Sequence, residues 1–97
     1  PHWVQIGFPE ARSIGQVVIY WSLDASRLHT SRDYVVTALT DAGAVELARV
    51  SGQEPSSASI HRFDAISANR VRIEQAARGG PGHRPGIMWI REVCVAP

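Results

Sequence analysis

The chain has 97 residues, 44% of them hydrophobic and 20% charged. That length holds one domain with a single core, and that composition excludes intrinsic disorder. The formal net charge of +1, from 10 cations against 9 carboxylates, excludes the strong basic excess of a dedicated nucleic-acid binder.

All the cations are arginine, so each presents a planar fork suited to carboxylates and vicinal hydroxyls. Cys94 is the only cysteine, which leaves no internal disulfide and too few thiolates for a structural zinc site. No apolar run approaches the roughly 18 residues of a membrane span. The first residues, Pro1, His2 and Trp3, form neither a basic nor an apolar leader, so the start reads as internal to a longer protein.

The predicted elements are strands. Residues 3–8 (WVQIGF) place Val4, Ile6 and Phe8 on one face by alternation, and residues 9–12 break the run at Pro9. Residues 13–21 (SIGQVVIYW) are rich in β-branched and aromatic side chains and form a second strand. Residues 22–32 are polar and irregular, a loop. Residues 33–40 (DYVVTALT) and 44–50 form a hairpin, with Gly43 available for positive φ in its turn. Residues 51–57 hold Gly52 and Pro55 and form a loop. Residues 58–63 make a short strand, residues 64–69 turn, and residues 70–74 (RVRIE) alternate like a strand with one wet face. Residues 76–86 (AARGGPGHRPG) are a loop, and residues 87–95 close the chain as a last strand.

Seven such strands without a helix define an all-β, antiparallel class, since parallel pairs would need long crossovers. If each strand runs back along the last, the turns at 9–12, 41–43 and 64–69 share one end. The chain start and the loops 22–32, 51–57 and 76–86 share the other. Long loops on a rigid β scaffold are where binding sites sit.

The order WVQIGF, SIGQVVIYW, DYVVTALTDAG with VELARVSG, HRFDAISANRVRIEQ and GIMWIREVCV resembles the coagulation factor V/VIII type C domain. This is the discoidin or galactose-binding-like family, which includes the family 32 carbohydrate-binding modules. The resemblance rests on Trp3 with the strand to Phe8, and on Ile14 and Val17. It rests further on the hairpin of Tyr34, Val36, Thr40, Asp41 and Gly43, on the strand from Ala68 to Ile73, and on the closing Glu92, Val93 and Val95. It covers nearly the whole chain. The family's preceding N-terminal segment, which supplies part of the fold and ligands for a structural calcium, is missing from the pattern.

The resemblance implies a jelly-roll-like β-sandwich over residues 1–97, truncated at its N-terminus. It implies a non-catalytic carbohydrate-binding module of a larger secreted, bacterial, carbohydrate-active enzyme. Its partners would be a galactose-like or other glycan and the neighbouring domains of the parent. Two alternatives stay open: an accessory sandwich that packs on the parent enzyme, and a cell-surface domain that adheres to lipid or protein.

The candidate sugar site is the loop-rich end. Trp21 ends its strand there and offers an indole for the C–H face of a sugar. Asp24, Arg27, His29 and Arg32 from one loop, with His83 and Arg84 from another, supply donors and acceptors. Each alone also fits a solvated loop residue; their grouping carries the signal. Trp3 and Trp89 lie in strands and are expected in the core, and His61 is expected to be structural. Glu92 matches the family glutamate that helps hold calcium, an ion that takes six to eight oxygens. Nucleophile-elbow, zinc-protease and phosphate-loop motifs are absent. Asp24 and Glu54 are not marked as a catalytic pair of the glycosidase kind.

Overall fold

The computed structural model describes residues 2–97. The chain is all-β and antiparallel. Its strands are β1 (His2–Trp21), β2 (Leu23–Asp24), β3 (Arg27–Leu28), β4 (Tyr34–Thr40), β5 (Gly43–Val50), β6 (Ala58–Gln75) and β7 (Ile90–Ala96). Five of them form one ladder in the order β5-β4-β6-β1-β7, and β2 and β3 form a separate miniature hairpin.

Two expected turns are not turns. The runs 3–8 and 13–21 join as β1, and 58–63 and 70–74 join as β6. The two long strands pair from His2↔Gln75 to Tyr20↔Ala58, with register shifts between Gly7 and Arg12 and between Ile14 and Gln16. At the first shift Phe8, Pro9, Glu10 and Ala11 face Asn69 alone; at the second, Gly15 faces Phe63, Asp64 and Ala65. Bulges of this kind bend and twist a ladder, and a bulge tolerates the missing N–H of Pro9. Gly15 also admits the chain end: a Cβ there would lie 2.9 Å from the Pro97 carbonyl carbon.

Bending folds the ladder into a sandwich. One layer holds β5, β4, the later half of β6 and the early half of β1. The other holds the early half of β6, the later half of β1, and β7. Val17, Ile19 and Trp21 of the second layer face Tyr34, Val36, Ala38, Val71 and Ile73 of the first, with Ile14 and Ala68 in the same buried cluster. Each buried aliphatic or aromatic side chain contributes about 1.5–3 kcal/mol. The one ion pair among the described residues, Arg49–Glu46, is exposed and contributes about 1 kcal/mol at most. Apolar burial therefore holds this fold together.

The expected grouping of ends survives the merged strands. Pro9, Glu10, Asp41, Ser67 and Asn69 line one hollow. The other end gathers the loops 22–32, 51–57 and 76–86. The last strand begins at Ile90, three residues later than expected, so Trp89 belongs to the preceding loop.

Candidate functional site

The loop-rich end is built on a continuous hydrogen-bond relay. The Trp21 indole N–H donates to Ser59 Oγ at 2.9 Å, and the Ser59 hydroxyl donates to Gln53 Oε1 at 2.6 Å. Gln53 Nε2 donates to the Ser31 carbonyl at 2.9 Å. The Ser31 hydroxyl donates to Gln75 Oε1, and Gln75 Nε2 donates to the Ile87 carbonyl at 2.8 Å. One chain of polar groups thus connects the core to all three loops. Ser31, Ser59 and Gln75 are buried, so each needs the partners it has.

Arg32 adds a second staple. Its Nε donates to the Gly80 carbonyl at 2.7 Å and its Nη2 to the Arg78 carbonyl at 2.9 Å. The backbone N–H groups of Arg32 and Asp33 both donate to the Gly79 carbonyl. This close approach requires glycine: a Cβ on Gly79 would lie 2.6 Å from the Asp33 carbonyl oxygen. On the other side, Ala25 and Ser26 take positive φ in the tip between β2 and β3, which presents Asp24 and Arg27 to solvent.

Three rings lie in a row on this frame. His29 is buried, with Trp89 at 4.7 Å and His83 at 4.9 Å between ring centroids. His29 Nδ1 is buried without a hydrogen-bond partner, a group that costs about 1–3 kcal/mol to leave unpaired. His83 is exposed. Its pKa is lowered by desolvation against its neighbours and then by the positive charge of Arg27, His29 and Arg84. Beside it opens a cleft of about 350 Å³ whose walls include Leu28, Arg32, Gln53, Glu54, Pro81 and His83. A neighbouring hollow of about 320 Å³ is lined by Ser26, Arg27, Leu28, Pro55 and His83. At the opposite end one hollow of about 360 Å³ has no aromatic ring, arginine or histidine in its walls, and a second of about 330 Å³ is lined by Phe8 and Arg12, whose guanidinium lies over the Phe8 ring. The hollows of the loop-rich end differ in joining histidine to arginine in their walls.

The sequence-predicted residues divide. Asp24, Arg27, His83 and Arg84 are exposed at this end. Arg32 lines the cleft while spending two donors on its staple. Trp21 is a correction: at 2% exposure, with its ring edge-on to Tyr34 at 5.4 Å, it has no face to offer a ligand. His29 is a second correction, for its ring is covered and it supports His83 and Trp89 from below. The expectation of Trp3 and Trp89 in the core is overturned too, with 54% and 42% exposure. Trp3 lies on the outer face of β1 under the Arg72 guanidinium, 4.5 Å from its centroid. Its alternation with Val4 and Ile6 already set it on the opposite face. Trp89 is the aromatic that sequence reasoning missed at this end; the Pro85–Gly86 step, ending three residues upstream, was the available signal that the loop continues.

Glu92 is exposed on β7 and accepts a hydrogen bond from the Cys94 thiol at 3.0 Å. That bond is the main cause of the raised thiol pKa. Among the described residues no group of three or more His, Cys, Asp and Glu converges anywhere. Calcium takes six to eight oxygens, of which Glu92 would supply at most two.

Among the described residues no helix is long and apolar enough to cross a membrane. No family model matches the chain, and no curated protein matches it. Solved structures do. The crystal structure of chitosan-binding module 1, derived from a chitosanase/glucanase of Paenibacillus sp. IK-5, has a TM-score of 0.74 at 14% identity, covering 98% of this chain and 67% of that one. The solution structure of that module has a TM-score of 0.72 at 18% identity, covering 100% and 70%. A putative alpha-L-fucosidase of Bacteroides thetaiotaomicron matches with a TM-score of 0.66 at 11% identity, over 96% of this chain and 18% of that one. This chain thus spans about two thirds of the module's length. At such identities the likeness is one of fold: an all-β sandwich of the kind seen in carbohydrate-binding modules.

Proposed function

We propose that the chain is a non-catalytic carbohydrate-binding domain of a larger secreted carbohydrate-active enzyme, and that it binds glycan at the loop-rich end. The observation that carries this reading is the contact chain from Trp89 through His29 to His83, whose His83 end lines the cleft. A half-exposed indole offers a face for sugar C–H groups, and aromatic area brings few rotors to freeze. His83, Arg27 and Glu54 supply the directional hydrogen bonds that fix a hydroxylated ligand. The relay and the Arg32 staple hold these loops in place before any ligand arrives, which lowers the ordering cost of binding. The fold shared with a chitosan-binding module supports the reading. The domain would keep its parent enzyme near a polysaccharide, raising effective concentration through weak individual contacts.

Packing on the parent enzyme without sugar is the weaker reading. It needs one large apolar patch, and the exposed Trp3 and Ile60 belong to different layers of the sandwich. A glycan array run on the wild-type domain and on Trp89→Ala tests the proposal. Binding to one sugar class that the variant loses supports it. A blank array from folded protein, or binding unchanged in the variant, contradicts it.

A further inference from the structure

The same end carries an uneven distribution of charge. Its arginines are Arg27, Arg32, Arg78 and Arg84, and the nearby carboxylates are Asp24, Asp33 and Glu54. Asp33 is occupied: its Oδ1 accepts the Gly52 N–H at 2.8 Å. Arg32 is occupied in turn by two carbonyls. The Arg27 and Arg84 side chains have neither an ion-pair nor a hydrogen-bond partner among the described residues, although Asp24 stands opposite Arg27 in the hairpin register. Arg27 and His83 line one hollow, and Arg84 follows His83 in the chain. Glu54 lines the neighbouring cleft and is absent from the walls of that hollow, where its chain neighbour Pro55 stands.

We infer that the hollow lined by Arg27 and His83, with Arg84 next to His83 in the chain, takes the anionic group of an acidic sugar, a uronate carboxylate or a sulfate ester, and that the site disfavours cationic amino-sugar polymers. This rests on the carbohydrate-binding reading above and goes beyond it. The unengaged Arg27 guanidinium in the hollow's wall can receive a carboxylate or sulfate in bidentate fashion. The His83 imidazole in the same wall donates a further hydrogen bond, and Arg27 and Arg84 both act on it electrostatically. Trp89, joined to His83 through the His29 ring, would carry a further part of the sugar chain. An ammonium group placed in the hollow would meet the fixed positive charge of Arg27 and no carboxylate in its walls. The neighbour that shares this fold is a chitosan-binding module, so the two chains would part in ligand charge while sharing an architecture.

The test measures binding of four oligosaccharide probes of matched length by calorimetry: oligogalacturonate, a sulfated galactan, neutral galactan and chitosan. Wild type is compared with Arg27→Gln, Arg84→Gln and Trp89→Ala. The expected result is tighter binding of at least one anionic probe than of the neutral one by roughly tenfold. Each arginine variant should lose several-fold of that preference, and high salt should reduce it. Trp89→Ala should weaken anionic and neutral probes alike. A preference for oligogalacturonate over the sulfated galactan identifies the carboxylate as the recognised group, and the reverse identifies the sulfate ester. Equal or tighter binding of neutral galactan or chitosan overturns the charge preference and leaves the carbohydrate reading standing. Anionic binding unchanged in both arginine variants overturns the assignment to this hollow. No binding to any of the probes overturns the inference, and a blank result on the full glycan array would overturn the carbohydrate reading with it.

Discussion

The Trp21 indole N–H donates to the Ser59 hydroxyl at 2.9 Å, and this bond joins the buried core to the relay that carries all three loops. Trp21 therefore acts through stability. Trp21→Ala removes a large buried ring, at a cost of about 3–5 kcal/mol. That is a large share of the roughly 5–15 kcal/mol of a typical domain. Trp21→Phe keeps an aromatic ring and loses the hydrogen bond, with an expected cost of about 1–2 kcal/mol. Urea unfolding monitored by circular dichroism separates the two.

Arg32 is expected to resist conservative replacement. Its Nε and Nη2 reach the carbonyls of two different residues, Gly80 and Arg78, which a single ammonium cannot reproduce. Both Arg32→Lys and Arg32→Ala should destabilise by about 1–3 kcal/mol. Amide exchange at Gly79 and Gly80 should accelerate in both, since that loop loses its staple. Retained protection in the lysine variant would contradict the geometry.

Two neighbouring glycines should behave differently. A Cβ on Gly80 would lie 2.3 Å from the Ile87 carbonyl oxygen, against backbone that cannot yield cheaply. Gly80→Ala should cost about 1–3 kcal/mol or displace the loop. A Cβ on Gly82 meets nothing within 4 Å, so Gly82→Ala should be close to neutral. Thermal melts of the two variants side by side check the contrast.

Acid should loosen the domain through His61. Its Nε2 lies 2.7 Å from the Tyr34 hydroxyl, and burial lowers its pKa below the ordinary 6.5. Burial raises the Tyr34 pKa, so the hydroxyl keeps its proton and can donate to neutral imidazole. The unfolded chain then binds the proton more readily than the folded one. The stabilisation is present above the ordinary histidine value and is lost as pH falls through the depressed folded value. His83 is shifted in the same direction. The urea midpoint should fall between about pH 7 and about pH 5, and His61→Gln, which keeps an acceptor for Tyr34, should flatten part of that slope. An unchanged slope in the variant would exclude His61 as its source.

Alternation and turn chemistry made the class and the ends of the sandwich legible. Val17, Ile19 and Trp21 share one parity, and all three are buried. The bends were not legible as bends. Pro9 and the polar run around Asp64 read as turns because local sequence cannot show that each bulges against a single residue of the other strand, Asn69 for the first and Gly15 for the second. That register depends on residues more than forty positions apart. The tryptophans show the same division. Trp3 could have been placed outside by its own alternation with Val4, whereas the burial of Trp21 depends on Tyr34 and Ser59 arriving from distant strands. Trp89 was hidden because residues 87–90 (IMWI) read as the apolar start of the last strand, while pairing begins only at Ile90. At the site, the grouping of loops followed from strand parity. The burial of His29 between His83 and Trp89 did not, since it depends on side-chain packing between loops.

The most direct test of where ligand binds uses the three indole N–H resonances of Trp3, Trp21 and Trp89 as position markers. They are recorded in a nitrogen–proton correlation spectrum during titration with a glycan that binds the domain. Trp89 lies at the loop-rich end, Trp21 in the core and Trp3 on the outer face of β1. The expected result is a progressive shift of the Trp89 signal, together with backbone signals of His83 and Arg27, while Trp3 stays fixed. Saturable shifts at Trp3 and Arg72 with Trp89 unmoved would contradict the loop-rich end as the binding site.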